Sequence, residues 1–157
     1  MVILQTHAKK RGSDDWGQGH FGASRGGRLH NGQDYLADVG NAVVSPFYAT
    51  VSKIGFPYSQ AGPSGHYTPE QKSRFLAKRG MRYVELDIGQ QTKVRYFYVS
   101  PHPNATVGSH VNMGDVIGMV QDLDAVYDGM PLHVHAEVWL EGKRINPDEW
   151  WLNRINA

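Results

Sequence analysis

The chain has 157 residues, 40% of them apolar and 20% charged, which suits one domain with a hydrophobic core of its own. Its formal net charge of +1 excludes the strong basic field expected of a nucleic-acid or membrane-surface binder. It has no cysteine, which excludes disulfides and thiolate metal sites and leaves His, Asp and Glu to hold any metal. From the N-terminus, "MVILQTHAKKRGSDD" sets a very short apolar run before charge, the reverse of a signal peptide, so no export signal is expected in the chain as given. Residues 1–20 read as an N-terminal arm. Basic residues cluster at Lys9-Lys10-Arg11, at Arg25 and Arg28, and between Lys72 and Arg82. Such clusters are either solvated surface or contacts for an anionic polymer. No window approaches the roughly 20 apolar residues of a membrane-spanning helix, so no membrane insertion is expected.

After the arm, "NAVVSPFYATVSKIG", "RYVELDIG", "KVRYFYVS", "DVIGMV" and "HVHAEVWLEG" are rich in Val, Ile, Tyr and Phe, with turn residues between them. This is the pattern of several short antiparallel strands. "VELDI" and "HVHAEVW" alternate as half-buried strands do. One segment departs from it. Thr68 in an N-cap position, Pro69 at the first helical residue, Gln71 two residues on and Gly80 as a stop predict a helix over 69–79. It lies in a long excursion, 57–80, between two strands, placed as a lid or a decoration. The tail "NPDEWWLNRI" reads as a short helical turn against a sheet edge. The fold class is therefore mainly β and antiparallel, one domain over 1–157, with the insertion 57–80.

Two motifs carry chemistry. In "PLHVHAEVW", a strand's period of two sends His133 and His135 to one face, about 7 Å apart along the strand. Such a pair can share a metal, split into a ligand and a base, or be two exposed histidines that happen to alternate. In "GRLHNGQDYLADVG", His30 and Asp34 flank an Asn31-Gly32 turn that bends both side chains toward one point. Alone, this too has an ordinary reading, an aspartate capping a turn beside an unrelated histidine. Together the motifs offer three His and one Asp from distant stretches. A catalytic zinc site needs three protein ligands and leaves one residue over for acid/base work.

The same residues carry a resemblance. "GRLHNGQDYLADVGNAVVSPFYATVSKIG", with its His-x-x-x-Asp, "VGSHVNMGDVIGMV", with paired glycines, and "LHVHAEVWLEGKRINP", with His-x-His and Asn-Pro, resemble in order the lysostaphin/LytM-type metallopeptidases of the M23 family. The resemblance runs from about Gly22 to Pro147. It implies an antiparallel β domain with a groove across the sheet. It implies Zn²⁺ held by His30, Asp34 and His135, with His133 as catalytic acid/base. The substrate it implies is the peptide part of peptidoglycan, in the periplasm or cell wall. The opening "HFGASRGGRLHNGQD" is similar to phage and prophage members, so delivery by phage is an expectation.

The sequence departs from the family in one place that bears on activity. A second histidine usually stands in a Tyr-x-His strand. Here that stretch is "YFYVSPHPNATVGSHV", and counting back from Gly108 puts Val99 or Ser100 at the position. His102, held between two prolines, is the first candidate to replace it, ahead of Tyr96, Tyr98 and Ser100. The run "QDLDAVYDGMP" is also altered, and Asp122, Asp124 and Asp128 read as loop residues. Two functions follow: a zinc endopeptidase cutting peptidoglycan cross-links, or a weakly active or inactive M23-like scaffold or activator of another wall enzyme. Oligomeric state has no signal.

Overall fold

The computed structural model describes residues 2–3, 9–62 and 65–150. Among these, thirteen strands and a helix follow in chain order, ahead of a helical stretch at residues 147–150. The first strands are β1 (Val2–Ile3), β2 (Ser13–Asp14), β3 (Gly17–Gln18), β4 (Gln33–Leu36), β5 (Ala42–Val44) and β6 (Ala49–Gly55). Then come α1 (Pro69–Arg79), β7 (Tyr83–Gly89), β8 (Thr92–Phe97), β9 (Val99–Pro101), β10 (His110–Val111), β11 (Val116–Val120), β12 (His133–Leu140) and β13 (Lys143–Ile145).

The large sheet runs β10-β6-β7-β8-β12-β13, and β4 also pairs with β12. Strand β12 lies next to one edge of this sheet and pairs with three others. It pairs with β8 from His135 to Leu140, while β4, at His133–Ala136, and β13, at Val138–Leu140, follow one another along its other edge. A smaller sheet, β1-β5-β11-β9, packs on the large one, and β2-β3 is a separate hairpin. Every pairing but β1-β5 is antiparallel, so the mainly antiparallel expectation holds.

Alternation along the strands sorts the residues. Val134, Ala136 and Val138 of β12, Val94 and Tyr96 of β8, and Val84 and Leu86 of β7 enter one core with Val43, Ile117 and Val120 of the smaller sheet. The opposite face of the large sheet carries His133, His135, Glu137, Phe97, Arg95 and Glu85. From His133 to Val138 both faces of β12 are buried, so this strand is not half-buried as its alternation suggests. Loops and the arm cover its polar face.

The helix forms where the sequence predicts it. Thr68 and Gln71 make a reciprocal capping box at 3.1 and 2.9 Å. Gly80 closes it, but with φ −80° rather than a left-handed turn. None of its residues is buried. It is tied down by Arg74 donating to the Asp124 carbonyl and by Lys78 over the Tyr58 ring at 4.7 Å. A small apolar cluster of Met81, Leu123 and Val126, joined by Tyr58, Ala77 and Tyr98, lies beneath this segment. The tail is helical over residues 147–150, with Trp150 edge-on to Phe47 at 5.6 Å, and its remainder lies outside the described residues. Among the described residues no helix is long and apolar enough to cross a membrane.

Candidate metal centre

Three chain segments build the site. Antiparallel register sets Asp34 of β4 directly opposite His135 of β12, so two residues 101 positions apart meet as a cross-strand pair. His30 arrives through the Asn31-Gly32 turn. The turn needs glycine because the backbone passes against β12: a Cβ on Gly32 would strike the Ala136 carbonyl and lie 2.8 Å from His135 Cε1. The His30 backbone is fixed in turn by hydrogen bonds with Ala23 and Gly22.

The result is a triangle of donor atoms. His30 Nε2, Asp34 Oδ1 and His135 Nδ1 stand 3.0, 3.3 and 2.8 Å apart. In a tetrahedral zinc site with bonds of about 2.0–2.1 Å, ligand atoms lie about 3.3 Å from one another, so the triangle matches one face of such a site. These three residues form a metal-capable cluster, all buried.

The second layer of bonds fits the same purpose. His30 Nδ1 donates to the His20 carbonyl at 2.8 Å, which leaves Nε2 as a lone pair. His135 Nε2 meets Glu137 Oε1 at 3.2 Å, which frees Nδ1. Asp34 Oδ2 accepts from Arg11 Nη1 at 3.0 Å. Each donor atom of the triangle is thus oriented by a bond on its far side, as the ligands of metal sites are. Arg11 is 5% exposed and also grips Asp14 through Nε and Nη2, both at 2.7 Å. Of the basic cluster Lys9-Lys10-Arg11, this member is therefore interior rather than solvated.

Electrostatics follow from these contacts. Burial alone would raise the Asp34 carboxyl, but its close contacts with His135 and His30 outweigh it and hold the group well below the usual range. Burial alone would lower His135, yet its bonds to Asp34 and Glu137 push it up to about 9. Burial lowers His133 from its ordinary value, against the pull of Asp34. Glu137 is lowered, since His135 and Arg144 offset its burial.

His133 is placed for a different task. Its Nδ1 donates to the Pro131 carbonyl at 2.8 Å, so Nε2 is a free base, 3.5 Å from Asp34 Oδ2. The cleft around these residues has three walls. Trp16, Arg25 and Arg28 come from the arm and the loop after it, Pro57 and Tyr58 from the start of the insertion, and Tyr127 and Met130 from the loop before β12. Trp16 and Tyr127 meet across it at 5.9 Å.

The sequence-predicted ligands and His133 are brought together; His102 is not. It sits in the turn after β9, its Nδ1 accepting from the Asn104 amide at 3.1 Å, and it does not line the cleft. Nor do the other counted positions reach it: Val99 and Tyr96 are fully buried in the core and Ser100 is exposed. The cleft residues from that stretch are Phe97 and Tyr98, and of the two only Tyr98 carries a polar group. Asp122 and Asp124 cap their own loop, by bonds from Asp124 and Gly129 amides. Sequence reasoning missed Glu137, although a period of two from His135 reaches it. It also missed the role of Arg11, for which no local spacing exists.

The profile of Peptidase family M23 matches residues 28–147. Leukocyte cell-derived chemotaxin-2 of Bos taurus is 26% identical over 127 residues, 81% of this chain and 71% of that protein. The catalytic domain of the antimicrobial peptidase lysostaphin from Staphylococcus simulans superposes with a TM-score of 0.61 at 19% identity, covering 94% of this chain and 95% of that one. The catalytic domain of the prophage-encoded M23 protein EnpA from Enterococcus faecalis gives 0.57 at 19% identity, covering 91% of each.

Proposed function

The chain belongs to peptidase family M23, and on that premise we propose that it is a zinc-dependent endopeptidase hydrolysing peptide cross-links of bacterial peptidoglycan. The observation that carries this reading is the oriented donor triangle of His30, Asp34 and His135 with the free base of His133 beside it. A zinc ion bound there supplies Lewis acidity and brings the pKa of a bound water from ~15.7 to near 7.

The chain's own residues do the rest. His133, neutral at pH 7 because burial disfavours its charged form, takes a proton from the attacking water at Nε2. It then returns that proton to the leaving amine nitrogen. Arg11 holds Asp34 from behind and leaves Oδ1 for the metal. Trp16, Tyr58 and Tyr127 narrow the cleft around the reacting amide, and Arg25 and Arg28 give its rim a positive charge suited to stem-peptide carboxylates. Lysostaphin is described as an antimicrobial peptidase and EnpA as prophage-encoded. The first description fits a peptidase directed against bacteria, and the second supports delivery by phage.

A second reading, a metal-holding M23 scaffold without hydrolysis, is favoured by the chemotaxin-2 relative, whose name describes no peptidase. The test is release of new amines from purified peptidoglycan by the zinc-loaded protein. His30→Ala and His135→Ala are expected to lose both zinc and activity. His133→Ala is expected to keep zinc and lose about 10²–10⁴-fold in rate. Zinc binding with no amine release from any wall preparation would favour the scaffold.

A further inference from the structure

We propose that Tyr98 is the second catalytic residue of this site, its hydroxyl donating a hydrogen bond to the carbonyl oxygen of the scissile amide, and that Tyr58 of the insertion aims it. This rests on the peptidase reading above.

The backbone gives the first argument. Tyr98 follows the last residue of β8. By strand alternation, Tyr96 faces the core, Phe97 faces the cleft, and Tyr98 would face the core again. It does not, because its φ is +67°. A left-handed conformation is rare for a bulky residue, and such residues collect at functional sites. Here the turn swings the side chain into the cleft that holds the donor triangle. The turn is pinned on both sides, the Tyr98 amide donating to the Arg82 carbonyl at 2.8 Å and its carbonyl accepting from the Gln121 amide at 2.9 Å.

The side chain gives the second. The Tyr98 ring stands edge-to-face with the base His133, centroids 5.6 Å apart and planes at 89°. Its hydroxyl ends a chain of three. Tyr127 donates to the Tyr58 hydroxyl at 3.1 Å, and the Tyr58 and Tyr98 hydroxyls lie 3.4 Å apart. With Tyr58 accepting from Tyr127, the Tyr58 proton turns to the Tyr98 oxygen, and the Tyr98 proton is left for a ligand in the cleft. A tyrosine stays protonated at neutral pH, and burial of this one moves it further that way. Lys78 of α1 lies over the Tyr58 ring, so the insertion holds the chain from outside.

The chemistry balances. The water oxygen bonds to the carbonyl carbon, the C=O pair moves onto the carbonyl oxygen, and one water proton passes to His133 Nε2. As the C–N bond breaks, its electron pair stays on nitrogen, which takes the proton from His133. The oxyanion pair re-forms the C=O bond, so the products are a carboxylic acid and an amine, and the remaining water proton passes from the acid to the amine as they part. Tyr98 keeps its proton throughout; its hydrogen bond strengthens as negative charge builds on the oxygen.

The test uses the zinc-loaded full chain. Tyr98→Phe removes one oxygen and is expected to lower kcat by about 10²–10³-fold, with KM, zinc content and Tm held. A phosphinic peptide that mimics the tetrahedral species is expected to bind at least tenfold more weakly to Tyr98→Phe, while a product peptide binds equally. Tyr98→His, which restores a donor, should recover part of the rate. Tyr58→Phe should cost less than Tyr98→Phe, and the double variant should match Tyr98→Phe alone, because the two act as one unit. Equal kcat and equal phosphinate affinity in wild type and Tyr98→Phe would overturn the assignment. Wild type inert on every substrate and blind to the phosphinate would overturn the peptidase reading with it.

Discussion

Arg11 shows how much of the site hangs on one distant side chain. It is a buried cation held by two carboxylates, and it orients the only carboxylate of the donor triangle. Arg11→Met is expected to weaken zinc by about 10–100-fold, the usual effect of removing an outer-shell partner, measured by chelator competition. Arg11→Lys should recover only part, since a lysine cannot bridge Asp14 and Asp34 with a planar fork. The protonation of His135 has a measurable sign as well. Without metal its pKa rises from the ordinary 6.5 to about 9. A raised folded-state pKa gives stability that is full below 6.5 and lost as pH climbs toward 9. His133, lowered by burial, acts only at and below 6.5, so the window from 6.5 to 9 belongs to His135. The Tm of the zinc-free protein is expected to fall across that window, and His135→Gln to flatten the slope. Zinc uptake at pH 7 should release protons, read by calorimetry in buffers of different ionisation enthalpy. The donor triangle was legible because each half of it is a short spacing, His-x-x-x-Asp and His-x-His. Arg11 was not, because its partner stands 23 positions away and nothing local marks an arginine as interior.

The insertion is the element where local and distant information separate most clearly. Thr68, Pro69 and Gln71 specify the helix start within four residues, and the structure reproduces 69–79 at both ends. What the helix is for could not be read, since its contacts, Lys78 on Tyr58 and Arg74 on the Asp124 carbonyl, cross into other segments. The strands it interrupts are already paired: Gly55 of β6 faces Tyr83 of β7 in register. A short Gly-Ser link can therefore close that hairpin in place of 57–80. The main core is expected to survive, with Tm lower by a few degrees as Tyr58 and Ala77 leave the small cluster under the loop. Zinc content should be unchanged and turnover should fall at least tenfold. Loss of zinc or global unfolding would make the insertion a core element. In the "YFYVSPHP" stretch the count back from Gly108 reaches Val99 and Ser100, while the residue whose left-handed backbone turns it toward the cleft is Tyr98.

At the scale of the whole molecule, the family profile begins at residue 28, yet the His20 carbonyl, Arg11 and Trp16 all belong to the stretch before it. The antiparallel β class was readable from turn spacing and β-branched runs. The pairing order was not, because it is set by which faces bury together. The β4–β12 pairing carries a consequence in time. Asp34 and His135 face each other across strands separated by 101 positions, and closing so long a loop is slow and comes after local structure. On the proposed function, metal capture at this triangle is expected to report this late, long-range step of folding. In stopped-flow refolding with a fluorescent zinc indicator, uptake is expected to lag helix formation and to coincide with the final burial of tryptophan. An uptake phase preceding that burial would place the β4–β12 closure early instead. During synthesis the same order holds: a ribosome that has delivered His30 and Asp34 has no donor triangle until β12 emerges with His135, and one that stalls before it never completes one.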